Sequence, residues 1–455
     1  MMTLMKLELP AGWVETTLGS IGAIKSGVGF PVEAQGKNSG EYPVYKVSDI
    51  SKAVLFTGGE LLHSANYVSE EVSSSLKGYV FPIGTILFAK IGEALRLNRR
   101  AIVHARGLAD NNVMGFKAGN GLDDKFVFYF LQTQDLASFS RSTTVPSIRK
   151  GDVESVSIRL PPASEQKRIT QKLDALLARV DALKARIDTI PLLLKRLKSS
   201  VLLSAVSGLL SDESRSGWQV VVIRDLVESS LTGLVRSAAE QSDQVGDLNP
   251  YLKMNNINQD WGISLEKIVG VRADEEDLKR FELRNGDWLF NTRNSIELVG
   301  KSCVWRGEAG FLYNNNILRI RFNSRAVPEF IEIWFRSPLG QSNLAKIKSA
   351  TTSVAAIYQK ALMNQEVNIP DITEQWQIVR RVEQMFAIAD QLEAKVAAAK
   401  QRINALTQSI LAKAFRGDLV PQDPNDEPAS VLLERISDQR AAAPKSKRGR
   451  KAAAD

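Results

Sequence analysis

A long apolar repeat occurs twice in this 455-residue sequence, and it constrains the fold more than any other feature. In each copy, apolar residues recur at alternating spacings of four and three, the heptad pattern of helices that pack along their length. The copies are offset by 209 positions, because Glu165 corresponds to Glu374 and Gly208 to Gly417 (374 − 165 = 417 − 208 = 209). The predicted helix seam includes Ile169, Leu173, Val180, Leu183 and Ile187 in the first copy, and Ile378, Val382, Leu392, Val396 and Ile403 in the second.

Each copy of the repeat predicts one long spacer helix, over residues 161–210 and 370–418. Gly208 and Gly417 stand where helices commonly end in a left-handed residue. Pro191 interrupts the first seam, where its missing N–H removes the hydrogen bond to the carbonyl of Ile187. We therefore predict a kink or break near Pro191 and a straighter second helix.

Each long helix follows a block of mixed composition, residues 9–160 before the first helix and 216–369 before the second. Short apolar runs separated by Gly and polar clusters are typical of strands in a compact α+β domain. The first block predicts strands at 43–50, 84–90, 101–103 and 113–116, and a helix, with a strand as the alternative, at 124–131. Several of these motifs recur in the second block, so the chain should contain two pseudo-repeated globular domains.

The segment after the second helix, residues 419–455, is polar and then rich in Ala, with a basic run between Lys445 and Lys451. Such a composition buries too little apolar surface to order a chain. We predict a flexible basic tail. A solvated tail is the plainer interpretation of its charge, and contact with phosphates is the alternative.

The overall charge and the cysteine content limit the class of protein. The net charge is +8, which is compatible with a polyanionic partner. The single cysteine, Cys303, excludes an internal disulfide and fits a reducing compartment. No apolar run approaches the length of a membrane span, so we expect no membrane contact and a cytoplasmic location.

Motifs of catalysis are absent from the sequence. There is no phosphate-binding Gly-x-x-x-x-Gly-Lys-Ser/Thr loop, no Asn-Pro-Pro-aromatic methyltransferase motif, and only two histidines. Pro370-Asp371 with Glu393 and Lys395 matches a loose nuclease signature, but residues two apart on a helix do not share a face. We predict no catalytic residue and no metal site. A self-contained DNA methyltransferase or nuclease, and a structural coiled-coil adaptor, remain as alternatives.

Hydroxyl, amide and basic residues cluster at matching places in both blocks. Ser and Thr can bond phosphates, whereas Arg, Asn and Gln can read base edges. Each cluster alone is more commonly a turn, but the recurrence favours DNA binding. The candidate DNA-binding residues of the first block are Lys90, Arg96, Asn98, Arg99, Arg100, Arg141, Thr143, Thr144, Ser147, Arg149 and Lys150. Those of the second block are Asn255, Asn256, Arg293, Asn294, Ser295, Asn315, Lys348, Thr351, Thr352, Ser353, Tyr358 and Gln359.

The arrangement as a whole resembles the specificity subunit of type I restriction–modification enzymes. The resemblance rests on the Pro-x-x-x-Glu-Gln helix starts at 161–166 and 370–375, and on the Ala-Phe-Arg-Gly end at 414–417. The first copy departs from that end, with Val206 and Ser207 in place of Phe and Arg. The resemblance covers almost the whole chain, including its two-fold repetition.

This resemblance implies an α+β fold in which two target recognition domains are separated by two long antiparallel coiled-coil helices. Each domain would read one half of a bipartite, asymmetric site in double-stranded DNA. The helices would dock two modification (methyltransferase) subunits, with Phe415, Arg416 and Gly417 as candidate contacts. Restriction (translocase and nuclease) subunits would complete the enzyme. S-adenosylmethionine, ATP and Mg²⁺ would bind those partner subunits, and no cofactor would bind this chain.

Overall fold

The chain forms two compact units, each of which contains one of the repeated blocks. Unit 1 consists of the described residues as far as Arg186 together with those from Ala399 onward, and unit 2 consists of Ile187–Ala398. Unit 1 is therefore discontinuous in sequence. The computed structural model describes residues 8–140, 144–211, 217–258, 261–350 and 354–442.

The globular part of unit 1 is built from short strands and helices. The strands are β1 (Val14–Thr17), β2 (Gly22–Ser26), β3 (Tyr42–Tyr45), β4 (Glu60–Leu61), β5 (Tyr67–Val68), β6 (Ile86–Ala89), β7 (Arg100–Val103), β8 (Leu108–Ala109), β9 (Val113–Ala118) and β10 (Ser157–Leu160). The helices are α1 (Leu18–Ile21), α2 (Val47–Phe56), α3 (Glu70–Leu76), α4 (Glu93–Arg96), α5 (Asp124–Gln132) and α6 (Lys150–Glu154).

A five-stranded sheet in the order β2-β9-β6-β7-β4 carries the core of unit 1. Its central strand β6 is buried at every residue, and helix α5 buries the run from Phe126 to Leu131. Strand β1 pairs antiparallel with β10, with Val14 opposite Leu160. The first and last strands of the block therefore close it beside the start of the long helix.

The strand predicted at 43–50 is only half right, because β3 ends at Tyr45 and α2 begins at Val47. The Asp49 carboxylate accepts a hydrogen bond from the backbone N–H of Lys46 (2.9 Å), which starts a helix where the alternation suggested a strand. The strands predicted at 84–90, 101–103 and 113–116 and the helix predicted at 124–131 are confirmed.

The first long helix, α7 (Ala163–Val206), is unbroken through Pro191. The predicted break is therefore wrong. Proline removes one hydrogen bond, whereas the turns on both sides of it keep theirs, and Leu194 in the next turn is buried. A bend within an unbroken helix, which is a common effect of an internal proline, stays a prediction. Gly208 lies just beyond the helix with φ +74°, as the cap position requires.

Unit 2 repeats this plan with different loops. Its strands are β11 (Gln219–Val222), β12 (Val227–Thr232), β13 (Gln241–Ser242), β14 (Asn249–Leu252), β15 (Val269–Val271), β16 (Trp288–Asn291), β17 (Arg293–Asn294), β18 (Ser302–Val304), β19 (Leu312–Tyr313), β20 (Ile317–Phe322), β21 (Ser349–Ala350), β22 (Ala355–Ala356) and β23 (Glu366–Ile369). Its short helices are α8 (Glu275–Phe281), α9 (Pro328–Arg336), α10 (Pro338–Ile347) and α11 (Gln359–Met363).

The main sheet of unit 2 has the order β12-β20-β16-β18, which matches β2-β9-β6-β7 of unit 1. Strands β11 and β23 close the block as β1 and β10 do, with Gln219 opposite Ile369. Helix α9 takes the place of α5, and Trp288, Phe290 and Phe335 form an aromatic core between sheet and helix. The predicted pseudo-repeat is thus present in the topology of both units.

The second long helix, α12 (Ile372–Arg416), runs antiparallel to α7. Within unit 2, Lys198 Nζ lies 2.8 Å from Asp390 Oδ1 and 3.1 Å from Glu393 Oε1, while Arg381 donates to the carbonyl of Leu210. Residue numbers on one helix therefore rise as those on the other fall. The predicted α+β fold with two long antiparallel helices is confirmed. No helix among the described residues is long and apolar enough to cross a membrane.

The predicted seam is buried only in part. Ile169, Leu173, Val180, Ile378, Val382 and Ile403 are at most 9 % exposed. Leu183 is 48 % exposed and Leu392 40 %, so the prediction that they are buried in the seam is wrong. Ile187 and Val396 are half-buried. Ile378 and Val382 belong to the hydrophobic core of unit 2, where the globular block forms a third layer against the helices. Where two helices pack alone, one side of each seam residue stays open to solvent.

The segment predicted to be a flexible tail contains a helix, α13 (Ala429–Ala442), so that prediction is wrong for these residues. Leu432 and Ile436 are buried, at 5 % and 2 % exposure, against the side of unit 1 that carries Gly119 and Gly121. The backbone N–H of Ala429 donates to the carbonyl of Gly12 (2.9 Å). Residues 443–455, with the basic run, lie outside the described residues.

A buried glutamate distinguishes the core of unit 2 from that of unit 1. Glu332 is the fifth residue of α9, where α5 has Phe128, and its carboxylate accepts hydrogen bonds from the Trp288 indole and from Ser302 Oγ (2.7 Å). Burial raises the pKa of this carboxyl to about 7, from an ordinary value of 4.5. Folded unit 2 therefore holds a proton that the unfolded chain has released between these two pH values.

Glu332→Gln should make the stability of unit 2 less dependent on pH. The raised pKa means that the free energy of unfolding falls as pH rises through the window from about 4.5 to 7, by up to about 3 kcal/mol. Urea unfolding at pH 5 and pH 8 measures the free energy of unfolding of both proteins. Relative to the wild type, the variant should be more stable at pH 8 than at pH 5. Glu308→Gln, at an exposed position of the same unit, is the control. Parallel pH profiles of the wild type and Glu332→Gln would contradict the assignment.

Candidate nucleic-acid interface

In unit 1, two candidate segments lie side by side at the end of strand β6. One is the connection 90–99 that follows β6, and the other is 144–150, which leads into α6. The N–H of Gly92 donates to the carbonyl of Pro146 (2.8 Å), and the N–H of Ile148 donates to the carbonyl of Lys90 (3.0 Å). The fold therefore brings together residues that are more than fifty positions apart in sequence.

Several candidate side chains of these segments face solvent. Thr144, Ser147, Arg149 and Lys150 are exposed, and the Arg96 side chain is half exposed. Arg96 pairs with Glu93 (3.1 Å) and Lys150 with Glu154 (3.3 Å). Exposed ion pairs of this kind contribute little to stability, so phosphates can replace the carboxylates at small cost. Lys90 and Arg99 are half-buried at the base of the same surface.

Arg100 does not belong to this surface, and the prediction that it contacts DNA is wrong. It is 2 % exposed, and its guanidinium donates to Asn98 Oδ1 (2.6 Å) and to the carbonyl of Gln134 (3.1 Å). Burial lowers its pKa to about 10. Asn98 is also engaged, since its amide donates to the same carbonyl (2.9 Å). These two residues tie the connection 90–99 to the segment that follows α5.

Unit 2 brings its own candidate segments together at the equivalent position, the end of strand β16. The N–H of Ile357 donates to the carbonyl of Thr292 (2.9 Å), and strands β17, β22 and β21 form a small sheet beside it. Arg293, Ser295, Tyr358 and Gln359 are exposed there, while Asn294 and Lys348 are half-buried. Lys348 Nζ donates to the carbonyl of Ile296 (3.2 Å), and partial burial lowers its pKa. Gln359 Nε2 donates to Ser230 Oγ (3.0 Å).

The asparagines of unit 2 divide into two groups. Asn255 and Asn315 are exposed, and each lies in a loop that contacts the end of β16. Asn291 Nδ2 donates to the carbonyl of Met254 (2.9 Å) in the first loop. Thr292 donates to the carbonyl of Asn316 in the second loop. Asn256 is 3 % exposed, and its amide donates to the carbonyls of Ser264 and Lys267. The prediction that Asn256 contacts DNA is therefore wrong: it closes a turn.

Five candidates lie outside the described residues: Arg141, Thr143, Thr351, Thr352 and Ser353.

One element of the candidate interface was not predicted from the sequence. Asn111 and Asn112 are exposed in the turn before β9, the position that Asn315 and Asn316 occupy before β20. The N–H of Lys90 donates to the carbonyl of Asn112 (2.9 Å), as that of Thr292 does to Asn316 (2.9 Å). The paired asparagines were a repeat signal present in both blocks.

The residues proposed to dock a partner are largely occupied within unit 1. The Phe415 ring packs against Phe126 and Phe130, with centroids 5.3 and 5.5 Å apart. Gly417 has φ +85°, and a Cβ there would lie 2.5 Å from the ring of Pro10. Both therefore have a packing role. Arg416 is exposed, and its Nε lies 3.0 Å from Asp418 Oδ2.

Neither a metal-binding cluster nor an exposed thiol occurs among the described residues. No group of three or more His, Cys, Asp or Glu side chains in that part of the chain could hold a metal ion. Cys303 is buried, and burial raises the pKa of its thiol well above the ordinary value. A buried, protonated thiol is a poor nucleophile and a poor metal ligand.

Known proteins are similar to this chain in both sequence and fold. The family described as type I restriction modification DNA specificity domain matches residues 10–192 and 215–401. The EcoKI specificity subunit of Escherichia coli K12 is 32% identical over 468 aligned residues, which cover 98% of this chain and 99% of that protein. The EcoBI specificity subunit of Escherichia coli is 29% identical over 98% of this chain and 96% of that protein.

Solved structures agree at the level of fold. The HsdS subunit of Thermoanaerobacter tengcongensis gives a TM-score of 0.60 at 21% identity, covering 92% of this chain and 100% of that one. A chain from a structure of a type I restriction–modification system gives a TM-score of 0.66 at 20% identity, covering 90% of this chain and 99% of that one. The chain belongs to the family of type I restriction–modification DNA specificity proteins. The resemblance seen in the sequence is confirmed.

Proposed function

We propose that this chain is the sequence-specific DNA-binding subunit of a type I restriction–modification system, and that each globular block reads one half of a bipartite target. The observation that carries this proposal is the repeated interface. In unit 1, the connection after β6 contacts the segment before α6, next to the turn that carries Asn111 and Asn112. In unit 2, the connection after β16 contacts the segment before α11, next to the turn that carries Asn315 and Asn316.

The two interfaces differ in chemistry, which is why the two half-sites should differ in sequence. In unit 1 three exposed side chains are basic, Arg96, Arg149 and Lys150, and they are suited to phosphates or to guanine edges, beside the amides of Asn111 and Asn112. In unit 2 the exposed side chains include the amides of Asn255 and Asn315, suited to adenine edges, with Arg293 and the aromatic ring of Tyr358. The two halves of the target should therefore be recognised through different contacts.

The chain supplies recognition and no catalytic group in this proposal. Methyl transfer from S-adenosylmethionine would occur on two modification subunits docked on the long helices, with Arg416 as the remaining candidate contact at the end of α12. Restriction subunits would supply ATP- and Mg²⁺-dependent translocation and cleavage. The complex would work in the cytoplasm.

Replacing residues 9–160 with the corresponding block of another family member should change one half of the methylated sequence and leave the other half intact. The physical reason is that each block carries its own interface and its own core. Mapping methylated adenines in cells that express the chimaera with its modification subunits measures this. The matched control is the reciprocal exchange of residues 216–369, which should alter the opposite half.

A change in both half-sites, or in neither, would contradict the proposal. The purified chain should also transfer no methyl group and cut no DNA without partner subunits. Activity of the chain alone would favour the methyltransferase or nuclease alternative. Failure of the chain with its modification subunits to select any DNA sequence would favour the adaptor.

A further inference from the structure

The Glu-Gln dipeptide that begins each long helix is buried in both units. Glu165 and Gln166 are 1 % and 0 % exposed, and Glu374 and Gln375 are 6 % and 0 % exposed. Polar side chains at such positions are retained at a cost unless each group has a hydrogen-bond partner. Most of their partners come from the globular block of the same unit or from the adjoining chain. In addition, Gln422 Nε2, in the segment after α12, donates to Glu165 Oε1 (3.3 Å).

In unit 1, the dipeptide is bonded to two distant parts of its block. Trp13 Nε1, just before β1, donates to Glu165 Oε2 (3.0 Å). Gln166 Oε1 accepts from the backbone N–H of Asp123 (3.0 Å), the residue that caps α5, and Gln166 Nε2 donates to the carbonyl of Pro161 (2.9 Å).

Unit 2 contains the same bonds between different residues. Trp218 Nε1, just before β11, donates to Glu374 Oε1 (2.9 Å). Gln375 Oε1 accepts from the N–H of Val327 (2.8 Å), the residue before α9. Gln375 Nε2 donates to the carbonyl of Pro370 (3.0 Å) and to that of Arg325 (2.9 Å).

These bonds fix the direction in which each block stands on its helix. The chain connects block and helix at one place, between the last strand and the first helical turn. The tryptophan bond adds a second fixed point at the start of the block, and the glutamine bond adds a third at α5 or α9. The covalent connection, the tryptophan bond and the glutamine bond together define the orientation of the block relative to its helix. The covalent connection alone would leave the block free to rotate about that connection.

We propose that Gln166 and Gln375, with their Trp–Glu neighbours, are positioning residues that determine how strictly the complex selects the length of unread DNA between its two half-sites. The proposal rests on the proposed function, because it assigns a role in selecting the same bipartite target. None of these side chains contacts DNA bases in the proposal: they are buried. They act through the orientation of the block that carries the interface.

The test measures methylation by the complete complex of this chain with its modification subunits. The DNA substrates keep both half-sites and vary the spacer by one and two base pairs in each direction. Gln166→Met and Gln375→Met keep the side-chain length and remove the side-chain hydrogen bonds, two at Gln166 and three at Gln375. We expect the preference for the best spacer over the next best to fall about tenfold, the effect of losing a buried hydrogen bond. Base preference within each half-site should not change.

Matched controls are Gln171→Met and Gln377→Met, exposed glutamines in the third turn of α7 and the second turn of α12. They should leave the spacer profile of the wild type unchanged. Trp13→Phe keeps an aromatic ring and removes the N–H donor to Glu165 together with part of the indole, so it carries the test if Gln166→Met does not fold.

An unchanged spacer profile in folded variants would overturn the proposal, as would a change in base preference within a half-site. A structural role alone would lower methylation of every spacer by the same factor, which also overturns it. If the wild-type complex selects no bipartite sequence, the proposed function fails instead, and that outcome appears before any variant is made.

Discussion

Replacing Leu432 with Asp should release helix α13 from unit 1 and lower the thermal midpoint of that unit by roughly 5–10 °C. Leu432 is 5 % exposed, and its Cδ1 lies against Gly121, where a Cβ would come within 2.9 Å. The substitution removes a buried leucine and places a carboxylate in an apolar contact, at a cost of about 3 kcal/mol or more.

The matched control for this prediction is Val431→Asp on the same helix, where the side chain is 36 % exposed. It should change the midpoint by no more than a degree or two. Limited proteolysis gives a second measurement, since a released helix should be cut within 429–442 well before the rest of unit 1. Equal midpoints and equal proteolysis for the two variants would show that α13 does not stabilise unit 1 through its buried face.

Reversing the charge at Arg149 and Lys150 together should weaken DNA binding by the complex about tenfold to hundredfold. Both side chains are exposed next to the connection 90–99. If each contacts one phosphate, the slope of log affinity against log salt should fall in magnitude by about 1.8. Filter binding or fluorescence anisotropy between 50 and 200 mM salt measures both quantities.

The control for this double variant is Lys52→Glu with Lys77→Glu, two exposed lysines of unit 1 in α2 and at the end of α3. It makes the same change in net charge away from the interface. A similar loss of affinity in both double variants would mean that only the overall charge matters. Unit 1 would then need another DNA-binding surface.

The sequence predicted the repeated parts of the fold better than the unique ones. The heptad copies and the glycines Gly208 and Gly417 located both long helices, because packing repeats leave a periodic record in the chain. Helix α13 was missed because its three buried residues, Ala429, Leu432 and Ile436, stand in a polar segment. What orders Leu432 and Ile436 is their contact with Gly121 and Gly119, about three hundred positions earlier, which no local pattern reveals.

The candidate interface was predicted by segment and only partly by residue. Sequence clusters located the connections that follow β6 and β16, since turns between strands are rich in polar side chains. They did not reveal that Arg100 faces inward from β7 or that Asn256 closes a turn. The direction of one side chain depends on the register of its strand and on its nearest partner, and composition contains neither.

The order in which the chain is synthesised has a consequence for unit 1. Because unit 1 takes residues from both sides of Ile187–Ala398, all of unit 2 is synthesised before the last part of α12 and helix α13. During that time the surface that will hold Leu432 and Ile436 is uncovered on a growing chain. A product that stops early would carry a finished unit 2 beside an incomplete unit 1, which exposes apolar surface to chaperones and proteases.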